Sequence, residues 1–196
     1  MTKWFVSDLH LDDRKLFTGL RGESFSSVPE WSDFILDAIN SKIKKSDHIY
    51  LLGDICRDNL HKWRMRFHTG QLWLIRGNHD PLPTVCRNVF GGQYRDVMEI
   101  KFGDSSAWLS HYAHAFWPKS HYGAYHFYGH NHSQRESTLD QWMPQRRSMD
   151  VCPESIYAAT GEWGPISEQT LLDLLSARKG HDPVEFYIQS RGKYTK

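Results

Sequence analysis

Long hydrophobic runs are missing from this chain of 196 residues. No apolar stretch approaches the roughly 20 residues that a helix needs to cross a bilayer. The N-terminal segment 1–6 leads directly into a strand-like run, without the apolar region and cleavage site of a signal peptide. No linker, repeat or low-complexity tract divides the chain. These absences predict a cytoplasmic protein without a membrane partner, folded as a single domain over residues 1–196.

The chain also has few cysteines and a small net charge. The three cysteines, Cys56, Cys86 and Cys152, are an odd number without close pairing, which predicts reduced thiols rather than a disulfide framework. A formal net charge of +1 gives no overall field that would draw the chain to nucleic acid or to a membrane surface. Histidine, by contrast, is abundant with 12 residues, and this excess raises the expectation of a metal site.

The first half of the chain alternates strands with helices. Apolar runs predict strands at 3–6, 48–52 and 71–76, and helices at 28–45 and 59–68 separate them. This alternation is typical of parallel strands joined by crossover helices, and therefore of an α/β fold. Ligands of open α/β sheets bind at the carboxyl ends of the strands, so we expect polar side chains at those ends to converge.

The helix at 28–45 has one apolar face. Ser27 suits the N-cap position, and Pro29 suits the first turn. Trp31 and Phe34 recur at helical spacing with aliphatic residues, so we interpret both as core residues rather than as part of a cofactor site.

The second half of the chain has a different pattern. It predicts strands at 93–102, 106–110, 125–128 and 149–152, a loop at 156–165 and a final helix at 168–178, and residues 133–148 form a polar segment. The pair Gly103-Asp104 between the first two of these strands indicates a hairpin. Ser167 is the expected N-cap of the final helix.

Polar side chains follow most of the predicted strands. They combine carboxylate, amide and imidazole groups without thiolate: Asp8, His10, Asp54, Asn78, His79, His111, His130 and His132. This mixture suits a first-row metal such as Mn, Fe, Zn or Ni. The set is too large for one ion and fits two ions that share a bridging carboxylate. Two ions roughly 3.5–4 Å apart can acidify a water between them and clamp the oxygens of a displacement at phosphorus. A histidine outside the ions can then protonate the leaving alkoxide.

The order of these motifs resembles the calcineurin-like metallophosphoesterase family, in particular its small single-domain bacterial and phage members. The motifs are Asp8-x-His10, Gly53-Asp54, Gly77-Asn78-His79-Asp80, His111 and Gly129-His130-x-His132. The resemblance implies a four-layer α/β sandwich, in which helices flank two central mixed β-sheets. It also implies that Asp8, His10 and His132 hold one metal, that Asn78, His111 and His130 hold the other, and that Asp54 bridges them. His79 would be the general acid.

One motif departs from the family pattern. Many relatives place an Asp three residues after the bridging Asp, followed by Arg, to orient the catalytic His and to bind phosphate. Here the order is Arg57 and then Asp58, so Asp58 and Asp80 are both open as the acid that orients His79. We expect Arg57, Asn78 and His79 to contact the substrate phosphate.

The leading hypothesis is a phosphoesterase that uses two divalent ions, with Mn²⁺ as the first choice and Fe, Zn or Ni as alternatives. The short chain leaves little room for a capping domain, which favours an open site and phosphodiester substrates of nucleotide or nucleic-acid origin. A phosphomonoesterase is the close alternative. The sequence leaves open whether the protein is a monomer or a dimer.

Two functions of other classes compete with this hypothesis. A retromer subunit of the same fold is a protein-binding scaffold, but a scaffold does not need the full ligand set that this chain keeps. A nuclease would follow a phosphate backbone with a set of basic residues, namely Arg57, Lys62, Arg64, Arg66, Arg146 and Arg147. The near-neutral net charge does not indicate strong nucleic-acid binding.

Overall fold

Two β-sheets form the centre of the computed structural model, which describes residues 1–15, 17, 20–69, 71–178 and 180. The first sheet has the strand order β4-β3-β2-β1-β9. Its strands are β1 (Lys3–Val6), β2 (His48–Leu51), β3 (Leu72–Ile75), β4 (Tyr94–Arg95) and β9 (Ile166–Ser167). The first four are parallel, and β9 lies antiparallel to β1. The parallel pairing expected for the first three strands is therefore confirmed.

The second sheet has the strand order β5-β6-β7-β8. Its strands are β5 (Val97–Phe102), β6 (Ser105–Ser110), β7 (Tyr125–Tyr128) and β8 (Ser148–Asp150). The pair β5–β6 is the expected antiparallel hairpin, whose turn begins at Gly103 with a φ of 53°. The remaining pairs are parallel, so this sheet is also mixed.

Helices flank both sheets. They are α1 (Leu20–Ser24), α2 (Val28–Lys42), α3 (Leu60–Arg64), α4 (Pro83–Phe90), α5 (Glu136–Trp142), α6 (Pro153–Thr160) and α7 (Glu168–Leu175). Ser27 caps α2 by accepting a hydrogen bond from the Glu30 backbone N–H, and Ser167 caps α7 in the same way through Thr170. Both predicted N-caps are confirmed.

The two sheets face each other through aromatic side chains. The ring of Phe5 on β1 lies 5.9 Å from that of Phe102 on β5 and 5.2 Å from that of Phe127 on β7. All three side chains are fully buried. Burial of this shared interface excludes water between the sheets and stabilises the two-sheet arrangement. The fold is the expected sandwich of two mixed sheets between helices.

Several predicted boundaries are wrong. The single strand expected at 93–102 is divided at Asp96, because β4 pairs with β3 in the first sheet and β5 pairs with β6 in the second. The helix expected at 28–45 ends at Lys42, and the one expected at 59–68 covers only Leu60–Arg64. The final helix ends at Leu175 rather than at 178. Local patterns place an element more reliably than its ends.

Two helices were not predicted: α5 lies in the polar segment 133–148, and α6 overlaps the first part of the loop predicted at 156–165. Helix α5 has no buried residue, so it lacks the apolar face that would reveal it in the sequence. Helix α6 is capped by the thiol of Cys152, whose sulfur accepts a hydrogen bond from the Ser155 N–H, and cysteine is not among the usual N-cap residues.

Two further expectations concern side chains. Trp31 is buried as predicted, but Phe34 is 38% exposed, so its assignment to the core is wrong. Phe34 lies at the margin of the apolar face of α2, where its ring contacts the partly buried Phe25 at a centroid distance of 4.8 Å. The three cysteines are unpaired and buried. Within the described part of the chain, no helix has the length and apolarity that a membrane crossing requires.

Candidate metal centre

The register of the sheets brings the polar strand ends to one edge of the molecule. Val6 lies beside Leu51, and Leu51 lies beside Leu74, so the three motifs that follow these strands emerge at the same level. A backbone hydrogen bond joins this edge to the second sheet, because the Ser7 N–H donates to the Val151 carbonyl at 3.0 Å. Within the second sheet, the Gly129 N–H donates to the His111 carbonyl at 2.9 Å, which brings together the loops that follow β7 and β6.

Five of the predicted ligands have a left-handed backbone conformation. Their φ angles lie between 47° and 71°, a region that side chains other than glycine rarely adopt, and they are Asp8, His10, Asp54, His130 and His132. Such a conformation costs on the order of 1–3 kcal/mol per residue. Its recurrence in five residues of one edge shows that the surrounding structure directs these side chains to a common point.

Three glycines allow the loops to approach each other. A Cβ atom on Gly77 would collide with the carboxylate of Asp54, and one on Gly129 would collide with the carboxylate of Asp8. A Cβ atom on Gly53 would collide with the ring of His111 and with the backbone of Gly77. The glycine of each motif is therefore required by close approach to a predicted ligand.

Asp8, His10 and His132 form the first ligand group. The Nε2 atoms of the two histidines lie 3.1 Å apart, and Asp8 Oδ1 lies 3.7 Å from His10 Nε2 and 3.6 Å from His132 Nε2. Asp8 and His10 are buried, and His132 is partly open to solvent. The two nitrogen atoms and the oxygen atom all lie within 4.8 Å of one another, close enough to hold one ion.

Asp54, His111 and His130 form the second ligand group. His111 Nε2 lies 3.4 Å from Asp54 Oδ2 and 3.0 Å from the Asn78 amide oxygen, so Asn78 adjoins this group. Asp54 Oδ2 also lies 3.8 Å from His10 Nε2 of the first group. Asp54 is thus the residue that stands between the two groups, as expected for a bridge.

His79 lies at the rim of these groups. Its ring is 5.4 Å from that of His10, and its backbone N–H donates to Asp54 Oδ1 at 2.7 Å. The Nδ1 atom of His79 is 2.7 Å from the Arg57 guanidinium. Arg57 and His79 therefore lie together beside the predicted ligands.

The two acids considered for orienting His79 lie elsewhere. Asp80 is buried, and both of its carboxylate oxygens accept backbone hydrogen bonds, from Gly77 and Asp54 on one oxygen and from Ile55 on the other. Asp58 is exposed. Among the described residues, neither carboxylate contacts the His79 ring. Asp80 instead ties the loop of Asp54 to the loop of His79.

The donor set fits divalent metal ions. Asp8 Oδ1 and His10 Nδ1 are buried and have no hydrogen-bond partner in the described part of the protein. Two imidazole nitrogens 3.1 Å apart repel each other unless a proton or a cation lies between them. A cation held by Asp8, His10 and His132 would satisfy Asp8 Oδ1 and relieve the repulsion between the two Nε2 atoms, and the second group offers a similar set beside it.

A comparison with known protein families shows to which family this chain belongs. A model of the family described as calcineurin-like phosphoesterase matches residues 1–185. This chain belongs to the calcineurin-like phosphoesterase family. Membership supports a hydrolase that acts on phosphate esters and implies the use of two divalent ions, in agreement with the two His/Asp groups of this phosphoesterase.

Three individual proteins are similar to this chain in sequence or in structure. An uncharacterized protein of Methanocaldococcus jannaschii is 24% identical over 180 residues, which cover 90% of this phosphoesterase and 92% of that protein. A protein of unknown function from Aquifex aeolicus has a crystal structure with a TM-score of 0.67 and 21% identity, covering 88% of this chain and 98% of that one. The E. coli phosphoesterase Yfce matches more distantly, with a TM-score of 0.43 and 18% identity over 80% of each chain.

Opposite charges stabilise the centre of the phosphoesterase. Burial raises the pKa of Asp8, but the adjacent imidazole of His10 and the charges of His132 and His111 outweigh it, so the pKa lies below its ordinary value. Burial lowers the pKa of His111, yet the hydrogen bond to Asp54 and the charges of Asp8 and Asp54 raise it to about 9. A cation bound beside His111 therefore has to displace its proton.

Arg21 is a buried residue of the site that the sequence did not reveal. Its guanidinium donates to the carbonyl oxygens of Asp8 at 2.7 Å and Leu9 at 3.3 Å. It also forms a two-point ion pair with Glu154, at 2.5 Å and 3.0 Å, and lies 4.5 Å from the ring of Trp31. Arg21 thereby holds the backbone that carries the first ligands, and no motif surrounds it that would have identified this role.

Asp150 performs a similar task for the loop that carries His130 and His132. Its carboxylate accepts hydrogen bonds from the backbone N–H of Ser133 at 3.2 Å and of Cys152 at 2.8 Å. Burial raises the pKa of Asp150 well above the ordinary value. Asp150 ends strand β8, so the same signal that identified the other strand-end residues could have identified it.

Proposed function

We propose that this chain hydrolyses phosphodiesters of nucleotide or nucleic-acid origin with the help of two divalent metal ions, of which Mn²⁺ is the first choice. One observation carries the proposal: two groups of three metal-ligating side chains lie side by side, and Asp54 of the second group also lies 3.8 Å from His10 of the first. Asp8, His10 and His132 would hold one ion, Asn78, His111 and His130 would hold the other, and Asp54 would bridge them. When bound, the ions would lower the pKa of a water and neutralise charge on the phosphate.

His79 is proposed as the general acid. Arginine can only donate hydrogen bonds, so the contact between Arg57 and His79 Nδ1 requires that Nδ1 accept. The ring proton then lies on Nε2, from which His79 can donate to the departing oxygen of the ester. A proton supplied there matters most for alkoxide leaving groups, which are poor leaving groups without it.

Arg57 is proposed as a ligand of the substrate phosphate. Its side chain is half exposed at the rim of the site while one nitrogen contacts His79. A guanidinium has five donors in a fixed plane, so it can contact a phosphate oxygen with the nitrogens that face away from the histidine.

The openness of the site supports a diester rather than a monoester. Asn78, Arg57 and His130 are exposed, and among the described residues none forms a cap above them. An open site accommodates groups on both sides of a phosphate. A diester also carries one negative charge less than a monoester, and among the described residues the guanidinium of Arg57 is the one that contacts His79 at the rim.

Tyr112 supports a nucleotide among the diesters. Its ring is 47% exposed, and its centroid lies 4.7 Å from that of His130. Its hydroxyl donates to the Asn78 amide oxygen at 3.3 Å, which orients the ring beside the second ligand group. An exposed ring held beside the reacting phosphate offers a surface on which a base can stack.

The basic residues suggested for a nuclease do not form one surface. Arg146 is buried and bonds to Glu136 and Asp140, and Arg147 donates to backbone carbonyls of Gly123 and Ser176. These contacts use the two guanidinium groups inside the fold. We therefore favour a small nucleotide-derived diester over a long nucleic acid as the substrate.

The cysteines bear on the cellular location of the enzyme. Three buried free thiols suit the reducing cytoplasm, where disulfides rarely form. We propose a cytoplasmic enzyme in which residues 1–196 act as one unit, as a monomer or as a dimer.

The test uses the whole chain, stripped of metal and reloaded with Mn²⁺. Hydrolysis of bis(p-nitrophenyl) phosphate and of p-nitrophenyl phosphate is measured side by side. The His79→Ala variant is the test protein, and His68→Ala is the matched control, because His68 is an exposed histidine just before β3, at the opposite end of the strand from the site. We expect Mn²⁺-dependent turnover that is faster for the diester and unchanged in His68→Ala.

An ester with an alkyl leaving group tests the role of His79 as general acid. We expect His79→Ala to lose about 100-fold or more in kcat on an alkyl diester and to keep its metal content, since general acid catalysis contributes on that scale. Faster turnover of the monoester would identify a phosphomonoesterase. An unchanged alkyl-diester rate in His79→Ala would remove His79 from the acid role. Metal binding without any turnover would revive the scaffold hypothesis.

A further inference from the structure

A buried carboxylate lies behind Arg57. Asp13 has a side chain that is only 4% exposed, and its Oδ2 atom is 3.5 Å from Arg57 Nε. Asp13 Oδ2 is buried and accepts no hydrogen bond within the described part of the chain. A buried anionic oxygen is costly unless a cation faces it, and the Arg57 guanidinium is that cation.

The two ends of the Arg57 guanidinium contact different residues. Nε faces Asp13, whereas Nη2 lies 2.7 Å from His79 Nδ1. The guanidinium therefore links a buried carboxylate to the exposed imidazole in a fixed plane. Lysine presents one nitrogen, which cannot occupy the positions of both Nε and Nη2.

Asp13 itself is held firmly. Its backbone N–H donates to the His10 carbonyl at 3.1 Å, and its Oδ1 accepts a hydrogen bond from the Lys15 N–H at 3.0 Å. The loop that carries His10 thus also positions Asp13. This arrangement couples the acid behind Arg57 to the first ligand group.

We propose that Asp13 is the positioning residue of the proposed general acid, through an Asp13–Arg57–His79 arrangement. Asp13 holds the guanidinium against His79 Nδ1, which keeps the ring proton on Nε2 and the ring in place. The acid that orients His79 is then neither Asp58 nor Asp80, the two acids suggested by the sequence. This inference rests on the proposed function of His79, but its geometric part can be tested without turnover.

The first experiment reads the tautomer of His79 directly. Nitrogen-15 NMR of the metal-free full-length chain at pH 8 distinguishes a protonated from an unprotonated ring nitrogen, and the His79 signals are assigned by their loss in His79→Ala. We expect the Nε2–H form in the wild-type chain and a mixture of the two forms in Asp13→Asn and in Arg57→Lys. Asp13→Glu should retain more of the Nε2–H form than Asp13→Asn.

The matched control is Asp12→Asn. Asp12 lies next to Asp13 in the same loop, but its carboxylate is half exposed and faces Lys62 at 3.7 Å. Its φ is 62°, a conformation that asparagine tolerates, so the substitution leaves the backbone undisturbed. We expect wild-type signals and wild-type turnover from this variant.

The second experiment measures turnover in a double-mutant cycle with Mn²⁺. We expect Asp13→Asn to lower kcat about 10-fold on an alkyl diester, because small misplacement of a catalytic group has effects up to about 100-fold. On a p-nitrophenyl diester, whose leaving group needs little protonation, the loss should be smaller. In the Arg57→Ala background Asp13→Asn should change kcat less than about 2-fold, since the arginine through which it acts is gone.

Three results would overturn the inference. They are a wild-type tautomer of His79 in Asp13→Asn, an equal loss of kcat on both diesters, and an equal loss with and without Arg57. A wild-type chain that hydrolyses no phosphate ester would instead refute the proposed function, and the NMR result would still decide whether Asp13 positions His79.

Discussion

The carboxylate of Asp8 accepts a hydrogen bond from the backbone N–H of His130 at 2.9 Å, across 122 residues of sequence. Asp8 follows β1 of the first sheet, and His130 follows β7 of the second. This bond uses Oδ2 of Asp8 and leaves Oδ1, which has no hydrogen-bond partner in the described structure, facing His10 and His132. A single side chain thus joins the two sheets and contributes to a ligand group. The centre exists only when the sheets are packed together.

Asp54→Ala should remove metal from both positions. Asp54 lies between His10 of the first group and His111 of the second, so its loss deprives both groups of a ligand. We expect the content of two ions per chain to fall below one, measured by elemental analysis after dialysis against Mn²⁺. Asp33→Ala, which removes an exposed carboxylate of α2, is the control. Retention of two ions in Asp54→Ala would disprove the bridging role.

Gly129→Ala should weaken metal binding through a steric effect. The added methyl group meets the Asp8 carboxylate and the side chain of Ser7, and overpacking of this kind costs about 1–3 kcal/mol of unfolding free energy. Displacement of Asp8 should lower Mn²⁺ affinity about 10-fold or more, measured by calorimetric titration. Gly92→Ala is the control, because no atom lies within 4 Å of its added methyl group. Equal affinities in the two variants would contradict the prediction.

Removal of one partner from the Arg21–Glu154 pair should destabilise the fold strongly. Both side chains are largely buried in the protein. Loss of the Arg21 guanidinium would therefore leave Glu154 as an uncompensated charge. We expect Arg21→Met to lose about 3–5 kcal/mol in urea unfolding, the usual effect of breaking a buried pair. Lys42→Met breaks the comparable pair with Glu162, which is 70% exposed, and should cost less than about 1 kcal/mol. Similar losses in both variants would mean that burial does not set the strength of the first pair.

His126 should make the protein less stable in acid. It is fully buried, its Nδ1 faces the Trp108 carbonyl at 2.9 Å, and its Nε2 accepts a hydrogen bond from the His114 N–H at 3.1 Å. If Nε2 were protonated, its N–H would face the N–H of His114 and lose the hydrogen bond. Burial lowers the pKa of His126 from 6.5 to about 3, and the charges of the nearby His114 and Arg146 contribute to this shift.

The lowered pKa of His126 sets the direction in which stability changes with pH. The folded state binds fewer protons than the unfolded state between pH 3 and 6.5, so the contribution of His126 is present above pH 6.5 and is lost as the pH falls. The slope from this group approaches about 1.4 kcal/mol per pH unit. Urea unfolding at pH 7, 6 and 5 should show a steeper loss in the wild-type chain than in His126→Asn, whose amide cannot titrate. Parallel curves would show that His126 does not titrate on unfolding.

The local sequence predicted much of the fold and named most of the site. Apolar runs located the three parallel strands, and the Gly-Asp pair located the hairpin, because these features depend on neighbouring residues alone. The division of 93–102 between two sheets could not be predicted, since pairing with β3 or with β6 is a matter of distant partners. Helix α5 was missed because its burial pattern has no apolar face.

The sequence by itself determined which side chains emerge at strand ends, since each motif is a strand followed by a glycine or a polar turn. It also determined that carboxylate, amide and imidazole are the available donors. Only the tertiary structure decided that Asp54 stands between the two ligand groups, that Arg21 holds the backbone of Asp8, and that Asp13 rather than Asp58 faces Arg57. These relations join residues of different loops, which the pairing of neighbouring strands and the packing of the two sheets bring together.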